Sequence, residues 1–286
     1  MSIGEIFSTY YVLIIVSLGA MLVGATAAAV GVFALLRRQS LLGDAISHAA
    51  LPGIAIMFLL GYGAQPWLLM LGGACAGALG ALLVTIIVHR TTLKRDALLG
   101  IMLSVFFGFG VVLKTVIQKQ GFEHQAVLGK FFFGNASTLL PADIAVIVAV
   151  SMIVFTILFF FWKEFVALTF DMDHMRAAGY SVLVLDSLMM LSTICAIVIG
   201  LHTVGVLLMS ALLIAPAAAA RQWSNSVGDM LGLAIFFGAL SGLCGALISS
   251  FIEHVPTGPV IVICLSVIVL VSFLFSPTRQ VGRSEL

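Results

Sequence analysis

Apolar residues fill the chain in runs of about 20, and short polar or charged stretches separate these runs. A run of that length crosses a bilayer as a helix. Of the 286 residues, 62% are hydrophobic and 9% are charged, and the mean hydropathy is +1.24. The pattern predicts an all-α polytopic membrane protein with about nine transmembrane helices. They are expected near 11–36, 41–60, 66–88, 97–118, 141–162, 182–202, 204–220, 230–251 and 258–276.

No polar stretch is long enough to form a separate soluble domain, so residues 1–286 are expected to form a single transmembrane domain. Its orientation follows from the positive charges, because cytoplasmic loops of membrane proteins carry an excess of Lys and Arg. With the amino terminus outside, most of these residues become cytoplasmic, namely Arg37, Arg38, Arg90, Lys94, Arg95, Lys163, Arg176, Arg221, Arg279 and Arg283. Lys114, Lys119 and Lys130 fall on the other side. The bias predicts an odd number of spans. The spans near 182–202 and 204–220 are adjacent, so the chain must turn tightly between Leu201 and Gly205.

The stretch SLLGDAISHAALPG, from Ser40 to Gly53, carries the main candidate site. Asp44 and His48 are four residues apart, so they share one face of a helix. A charged residue at membrane depth costs roughly 3 kcal/mol and is usually functional. Carboxylate oxygen and imidazole nitrogen together suit a divalent transition metal. Pro52-Gly53 should weaken or kink the helix nearby, as at many transporter ion sites.

Simpler interpretations of this pair stay open. Asp44 and His48 would also suit a structural hydrogen bond, or a helix cap near the interface. Two ligands are too few for a cation, so others would have to come from elsewhere. His202 and Asn135 are weaker candidates, since a solvated histidine and a helix or turn cap explain them better than a metal contact does. Asp186 is most simply interfacial. The four cysteines are isolated in apolar runs and are expected to be small buried residues.

Residues 163–180 form the longest charged stretch between the predicted spans. Phe165, Leu168, Met172 and Met175 recur near helical spacing with charged residues between them, which predicts a short amphipathic helix at the membrane face. It would be either a plain connector or a docking helix for a soluble subunit. No GxxxxGK[ST] motif occurs, because Gly129-Lys130 is followed by Phe131, so the chain is not expected to be an enzyme that hydrolyses ATP. The net charge of +1 gives no indication of nucleic-acid binding.

Four stretches together resemble the membrane subunit of bacterial ABC importers for manganese, zinc or ferrous iron. They are Arg37-Arg38 with Ser40 to Gly53, Phe132-Phe133-Gly134-Asn135, the connector from Phe170-Asp171 to Gly179, and Val204 to Arg221 with its Ala-Pro-Ala segment. The similarity covers essentially the whole chain. It implies a bundle like that of the type II ABC importers, a multi-pass protein of the bacterial inner membrane, and a permease without a cofactor of its own.

The resemblance also implies partners and roles. The permease would be a homodimer with its pathway on the two-fold axis, and Asp44 and His48 of both copies would contact the metal. Cytoplasmic ATPase subunits that bind ATP would dock on a coupling helix around 165–180, through Phe170, Asp171, Met175 and Gly179. An extracytoplasmic binding protein would deliver the ion. The segment SHAALPG is more similar to manganese and iron members, so manganese is expected first, then zinc or ferrous iron. The alternative is a stand-alone secondary transporter.

Overall fold

The computed structural model describes residues 3–63, 65–120, 141–252 and 255–276, and within these residues all regular structure is helical. The helices, in chain order, are α1 (Ile3–Leu36), α2 (Leu42–Met57), α3 (Pro66–Arg90), α4 (Arg95–Gln120), α5 (Pro141–Phe160), α6 (Trp162–Phe170), α7 (Met172–Ala177), α8 (Val182–Thr203), α9 (Val206–Arg221), α10 (Val227–Phe251) and α11 (Thr257–Phe275). Eight of them are long and apolar enough to cross a membrane. The prediction of an all-α membrane protein with about nine spans is confirmed, with α9 as the shorter ninth helix.

The turn between α8 and α9 is as tight as the sequence predicts. Only Val204 and Gly205 separate the two helices. Gly205 has φ 88°, in the left-handed region that glycine adopts without steric cost. Helix α9 then runs for 16 residues, about 24 Å at the rise of an α-helix. Helix α9 is therefore shorter than the eight helical segments that are long and apolar enough to cross a membrane.

Small residues hold the helices close together, in agreement with the glycine-rich sequence. A Cβ atom on Gly24 would lie 2.2 Å from the carbonyl oxygen of Gly238, so α1 and α10 meet backbone to backbone. Likewise, a Cβ on Gly53 would lie 2.0 Å from the carbonyl oxygen of Gly72 on α3. Such close approach strengthens van der Waals packing between helices where no hydrophobic effect drives association.

Helix α2 departs from the sequence prediction at its proline. The helix continues through Pro52 to Met57, and the irregular segment follows as a π-helical turn, Phe58–Tyr62, with Gly61 at φ 92°. The irregular backbone therefore begins five residues after Pro52-Gly53, where the sequence predicts a weakened or kinked helix. Close packing explains the continuity, because α3 approaches at Gly53 and α4 approaches near Leu51. Both neighbours hold the backbone where the missing N–H of Pro52 weakens it.

One end of the bundle gathers the arginines that the sequence predicts on the cytoplasmic side. Arg37, Arg38, Arg90 and Arg176 line one cavity there, and we call this the arginine-rich end. The end of α1, the end of α9 and the start of α10 meet nearby, where Ala220 and Met230 pack with Leu36. The hydroxyl of Ser276, just after α11, donates to the carbonyl of Gln222. This arrangement agrees with an odd number of crossings.

A candidate metal site on helix α2

Asp44 and His48 lie near the start of α2, toward the arginine-rich end. Asp44 is in the first turn of the helix, where the positive end of the helix dipole favours a carboxylate. At 1.5 Å per residue, Asp44 is about 3 Å and His48 about 9 Å from the first residue of α2 along its axis. The pair thus sits close to one end of the helix, rather than at its middle.

Neighbouring helices define which way the pair faces. Helix α9 touches α2 at Gly43, where a Cβ would lie 3.2 Å from the Cα of Ser210. Helix α4 touches α2 at His48, because the rings of His48 and Phe107 meet edge to face with centroids 4.8 Å apart. Helix α3 packs on the opposite face, through Gly53. Asp44 and His48 therefore lie on the side of α2 between α4 and α9.

Both side chains are half-buried, and both have unused capacity to bind a ligand. They are close enough to interact electrostatically. Among the described residues, the Asp44 carboxylate accepts no hydrogen bond and forms no ion pair with a Lys or Arg. The Nδ1 atom of His48 is buried and has no hydrogen-bond partner. An unpaired carboxylate and an imidazole nitrogen on one apolar helix face can together accept a cation.

Two features next to the pair were missed from the sequence. The buried hydroxyl of Ser47 also has no hydrogen-bond partner. Pro52 has no N–H, so it cannot pair with the carbonyl oxygen of His48 one turn earlier. The spacing of Pro52 four residues after His48 is the signal that could have pointed to this carbonyl.

His202, one of the two weaker candidates, does not complete the site. His202 lies in the last turn of α8, and Asp186 near the start of that helix is 16 residues away, about 24 Å along the axis. His202 is therefore at the end of the bundle opposite to Asp44. Asn135 lies outside the described residues. No group of three or more His, Cys, Asp or Glu side chains that could hold a metal occurs in the part of the chain that the structure describes.

A second polar pair, between Arg37 and Asp186, was not predicted. The Nη1 atom of Arg37 lies 2.6 Å from Oδ1 of Asp186, and only 5% and 10% of the two side chains are exposed. The same nitrogen lies 3.2 Å from the sulfur of Met189. Asp186 lies at the arginine-rich end, where its carboxylate is buried in an ion pair that joins the end of α1 to α8. Its position at the membrane interface stays a prediction. An acid inside an apolar helix was the signal for such a partner.

Residues 163–180 form two short helices rather than one. Helix α6 ends at Phe170, and Asp171 caps α7 by accepting a hydrogen bond from the backbone N–H of His174 at 2.8 Å. Gly179 ends α7 at φ 84°, a conformation that favours glycine. Met175 is buried, and Phe170 is 66% exposed. Of the four residues predicted to couple to an ATPase, Phe170 thus presents the most apolar surface to a partner.

Helix α6 is firmly attached to the bundle. Phe33 of α1 meets the rings of Trp162 and Phe165 edge to face, with centroids 5.8 Å and 5.9 Å apart. Phe165 and Leu168 are fully buried. Because Arg37 lies one turn beyond Phe33 on the same helix, a force on α6 would reach the end of α1 through packed side chains.

Comparison with known proteins places these features in a family. A family model described as "ABC 3 transport family" matches residues 9–276. The zinc transport system membrane protein TroC of Treponema pallidum is 42% identical over 277 residues, which are 97% of this chain and 93% of that protein. The manganese transport system membrane protein MntC of Bacillus subtilis is 40% identical over 94% of this chain and 62% of its own length. The solved structure of PsaBC from Streptococcus pneumoniae in complex with Fab superposes with a TM-score of 0.85 at 30% identity, over all of both chains.

Proposed function

This chain belongs to the ABC 3 transport family, and from that premise we propose that it is the permease subunit of an ATP-driven importer. The cargo would be a divalent transition-metal ion, and the ion would move into the cytoplasm of a bacterium. The observation that supports a metal cargo is the Asp44–His48 pair, because the Asp44 carboxylate and the Nδ1 atom of His48 have no hydrogen-bond partner among the described residues. Relatives whose names include zinc and manganese transport support the same class of cargo.

The pathway would lie between two copies of the permease. One chain supplies two suitable ligands, and a cation needs more. A two-fold axis beside the α4–α9 side of α2 would bring two carboxylates and two imidazoles together, because a symmetric interface presents the same residues from both copies. Water would fill the remaining positions. A site built from few protein ligands holds the ion weakly enough to release it, as transport requires.

The proposal also specifies which metal ion is transported. Oxygen and nitrogen ligands suit manganese, ferrous iron and zinc, and the intrinsic affinity order disfavours manganese. We place manganese first, on the resemblance of the SHAALPG segment to manganese and iron members; several relatives are also named for manganese transport. Selection would then depend on an extracytoplasmic binding protein that delivers the ion, as well as on Asp44 and His48.

ATP hydrolysis would take place on separate cytoplasmic subunits. These would dock on α6 and α7, with exposed Phe170 as an apolar contact and with Asp171 and Gly179 fixing the ends of α7. Closure of the ATPase subunits would move α6, and the contacts of Phe33 with Trp162 and Phe165 would carry that movement to α1. The dimer would open outward to accept the ion and inward after hydrolysis. Packing supports this route, since Phe165 and Leu168 attach α6 to the bundle through fully buried side chains.

The test is uptake by proteoliposomes that contain the permease, its ATPase and its binding protein. Manganese, zinc and ferrous iron are compared with ATP inside and with a non-hydrolysable analogue. We expect uptake only with ATP and only with the binding protein, and the preferred ion names the cargo. Uptake by the permease alone, driven by an ion gradient, would instead establish the stand-alone secondary transporter. Failure to move any of the three ions with all components present would overturn the proposal.

A further inference from the structure

A cavity of about 1380 Å³ opens at the arginine-rich end, and the proposed transport cycle does not use it. Its walls come from the end of α1, the last three turns of α3, the α6–α7 connector and the first half of α8. No residue of α2 or α4 lines it, whereas Asp44, His48 and Phe107 all belong to those two helices. The cavity is therefore a separate site, on the α3 side of α2.

The charges of the wall that are left unpaired are positive, because Arg37 pairs with Asp186 and Arg176 pairs with Asp173, while Arg38 and Arg90 form no ion pair among the described residues. Arg37, Arg38, Arg90 and Arg176 line the cavity, and Asp186 is the one acidic residue among its lining residues. Asp186 is buried against Arg37, so it offers little negative charge to a ligand. Arg38 and Arg90 are exposed, and in the described part of the chain neither forms an ion pair. Such a wall repels a divalent cation and attracts an anion.

Arg38 adds an independent observation. It is the one non-glycine residue with positive φ in the described chain, at 57°, just after the end of α1. The N–H of Gln39 donates to the carbonyl of Ala34 at 2.9 Å, which closes the helix in the manner usual for a glycine at this place. Glycine would adopt this conformation at no steric cost. Arg38 thus places a long cationic side chain at a position whose backbone conformation favours glycine.

Arg37 has more donors than its ion pair uses. Its Nε and Nη2 atoms are buried and have no hydrogen-bond partner among the described residues, although 95% of the side chain is removed from solvent. Buried guanidinium donors are normally satisfied. Since Arg37 also lines the cavity, an anion there would lie next to these donors.

The rest of the wall is largely apolar, which favours an anion that carries hydrocarbon chains over a small inorganic anion. Leu82 and Ile86 of α3 and Leu183 and Leu191 of α8 line the cavity, and each is roughly half exposed. Inorganic phosphate has no apolar part that could contact these side chains. A lipid does make these contacts, because its acyl chains pack against apolar side chains while its headgroup stays near the arginines. Basic pockets between transmembrane helices on the cytoplasmic side are suited to anionic headgroups with their chains still attached.

We propose that this cavity binds an anionic phospholipid of the inner leaflet. Arg38 and Arg90 contact its phosphate, and α3 and α8 hold its acyl chains. The site lies beside Thr169, Met172 and Arg176 of the connector, so the bound lipid also stabilises the position of α6 and α7. This inference does not depend on which cargo the permease carries.

The test uses the permease–ATPase complex in lipid nanodiscs with spin-labelled phosphatidylglycerol or phosphatidylcholine, and measures the fraction of immobilised label. We expect phosphatidylglycerol to be favoured, and Arg38→Gln and Arg90→Gln each to lower its relative affinity about fivefold. Arg221→Gln is the matched control, because Arg221 is exposed at the end of α9 and does not line the cavity. Arg38→Gly separates charge from backbone strain: it should lose the lipid as Arg38→Gln does, while the melting temperature stays equal or rises.

Several results would overturn the proposal. One is the absence of any preference for phosphatidylglycerol in the wild type. A second is an equal loss in Arg221→Gln, which would indicate a general surface-charge effect. A third is displacement of the label by inorganic phosphate at millimolar concentration, which would make the site a phosphate site. A preference seen with the permease alone but absent from the complex with its ATPase would make this cavity part of the ATPase interface instead.

Discussion

Two polar pairs in this apolar bundle are built in opposite ways. Arg37 and Asp186 neutralise each other at 2.6 Å, on α1 and α8, with almost no exposed surface. Asp44 and His48 share one helix, are half exposed, and leave Nδ1 of His48 without a partner. The charges of the first pair balance each other within the chain, whereas the Asp44 carboxylate and Nδ1 of His48 find no partner among the described residues.

The difference separates a structural role from a binding role. A buried charge must be paired or it destabilises the fold. Arg37 and Asp186 meet that demand through a partner 149 positions away in the chain. Asp44 and His48 meet it, in our proposal, only when a metal ion arrives. We therefore expect substitutions in the two pairs to have opposite effects on stability and on transport.

The largest effect is expected for Asp186→Asn. It leaves the Arg37 guanidinium buried without a counter-charge, which typically costs about 3–5 kcal/mol. Thermal unfolding of the purified protein in detergent should show a large drop in melting temperature. Asp173→Asn is the control, because its ion pair with Arg176 is exposed and should be worth little. The double variant Arg37→Met/Asp186→Leu should recover most of the loss. If Asp186→Asn melts like the wild type, the pair is not structural.

Asp44→Ala should have the next largest effect, and it should change metal uptake rather than the melting temperature. It removes a proposed ligand of the metal, so metal uptake should fall at least about 100-fold, since even indirect support of a ligand is worth 10–100-fold. The melting temperature should stay equal or rise, because an unpaired half-buried carboxylate is lost. Asp96→Ala is the matched control, as Asp96 is an exposed acid in the first turn of α4. Wild-type uptake by Asp44→Ala would move the site elsewhere.

His48→Gln should have a smaller effect that depends on the metal. The amide oxygen replaces an imidazole nitrogen with a hard ligand, which manganese tolerates better than zinc does. We expect uptake of zinc to fall about tenfold more than uptake of manganese. Competition between the two ions in one assay measures this ratio directly. An unchanged ratio would mean that His48 does not touch the ion.

Asp171→Ala should have the smallest effect. Loss of the hydrogen bond to the His174 N–H removes a helix cap, worth about 1 kcal/mol, at the start of α7. We expect ATPase activity coupled to transport to fall a few-fold while metal binding stays unchanged. Asp171→Ser, which restores a capping oxygen, should recover the activity. Equal loss in both variants would point to a direct contact of the carboxylate with the ATPase instead.

Most of the fold was predictable, because it follows from local rules. The apolar runs predict the positions of the helices. The short gap between two such runs, with a glycine in it, predicts the tight turn at Gly205 between α8 and α9. The shared face of Asp44 and His48 also followed from their spacing. These features depend only on neighbours in the chain.

The rest depends on which distant residues meet. Nothing in a single sequence says that Arg37, rather than Arg38, turns inward to Asp186. The continuity of α2 through Pro52 depends on Gly72 and on the close approach of α4, which no local pattern shows. The division of the connector at Asp171 was missed because the apolar spacing continues across the break. The helix is interrupted by the Asp171 cap, whose carboxylate accepts a hydrogen bond from the N–H of His174.

The most direct test of the central claim is to count the metal ions bound by the purified permease–ATPase complex. Equilibrium dialysis against manganese, with elemental analysis, compares the wild type with Asp44→Asn/His48→Gln and with the control Asp96→Asn. We predict one ion for each two permease chains in the wild type and the control, and none in the double variant. An ion that stays bound to the double variant would contradict the assignment of Asp44 and His48 as its ligands.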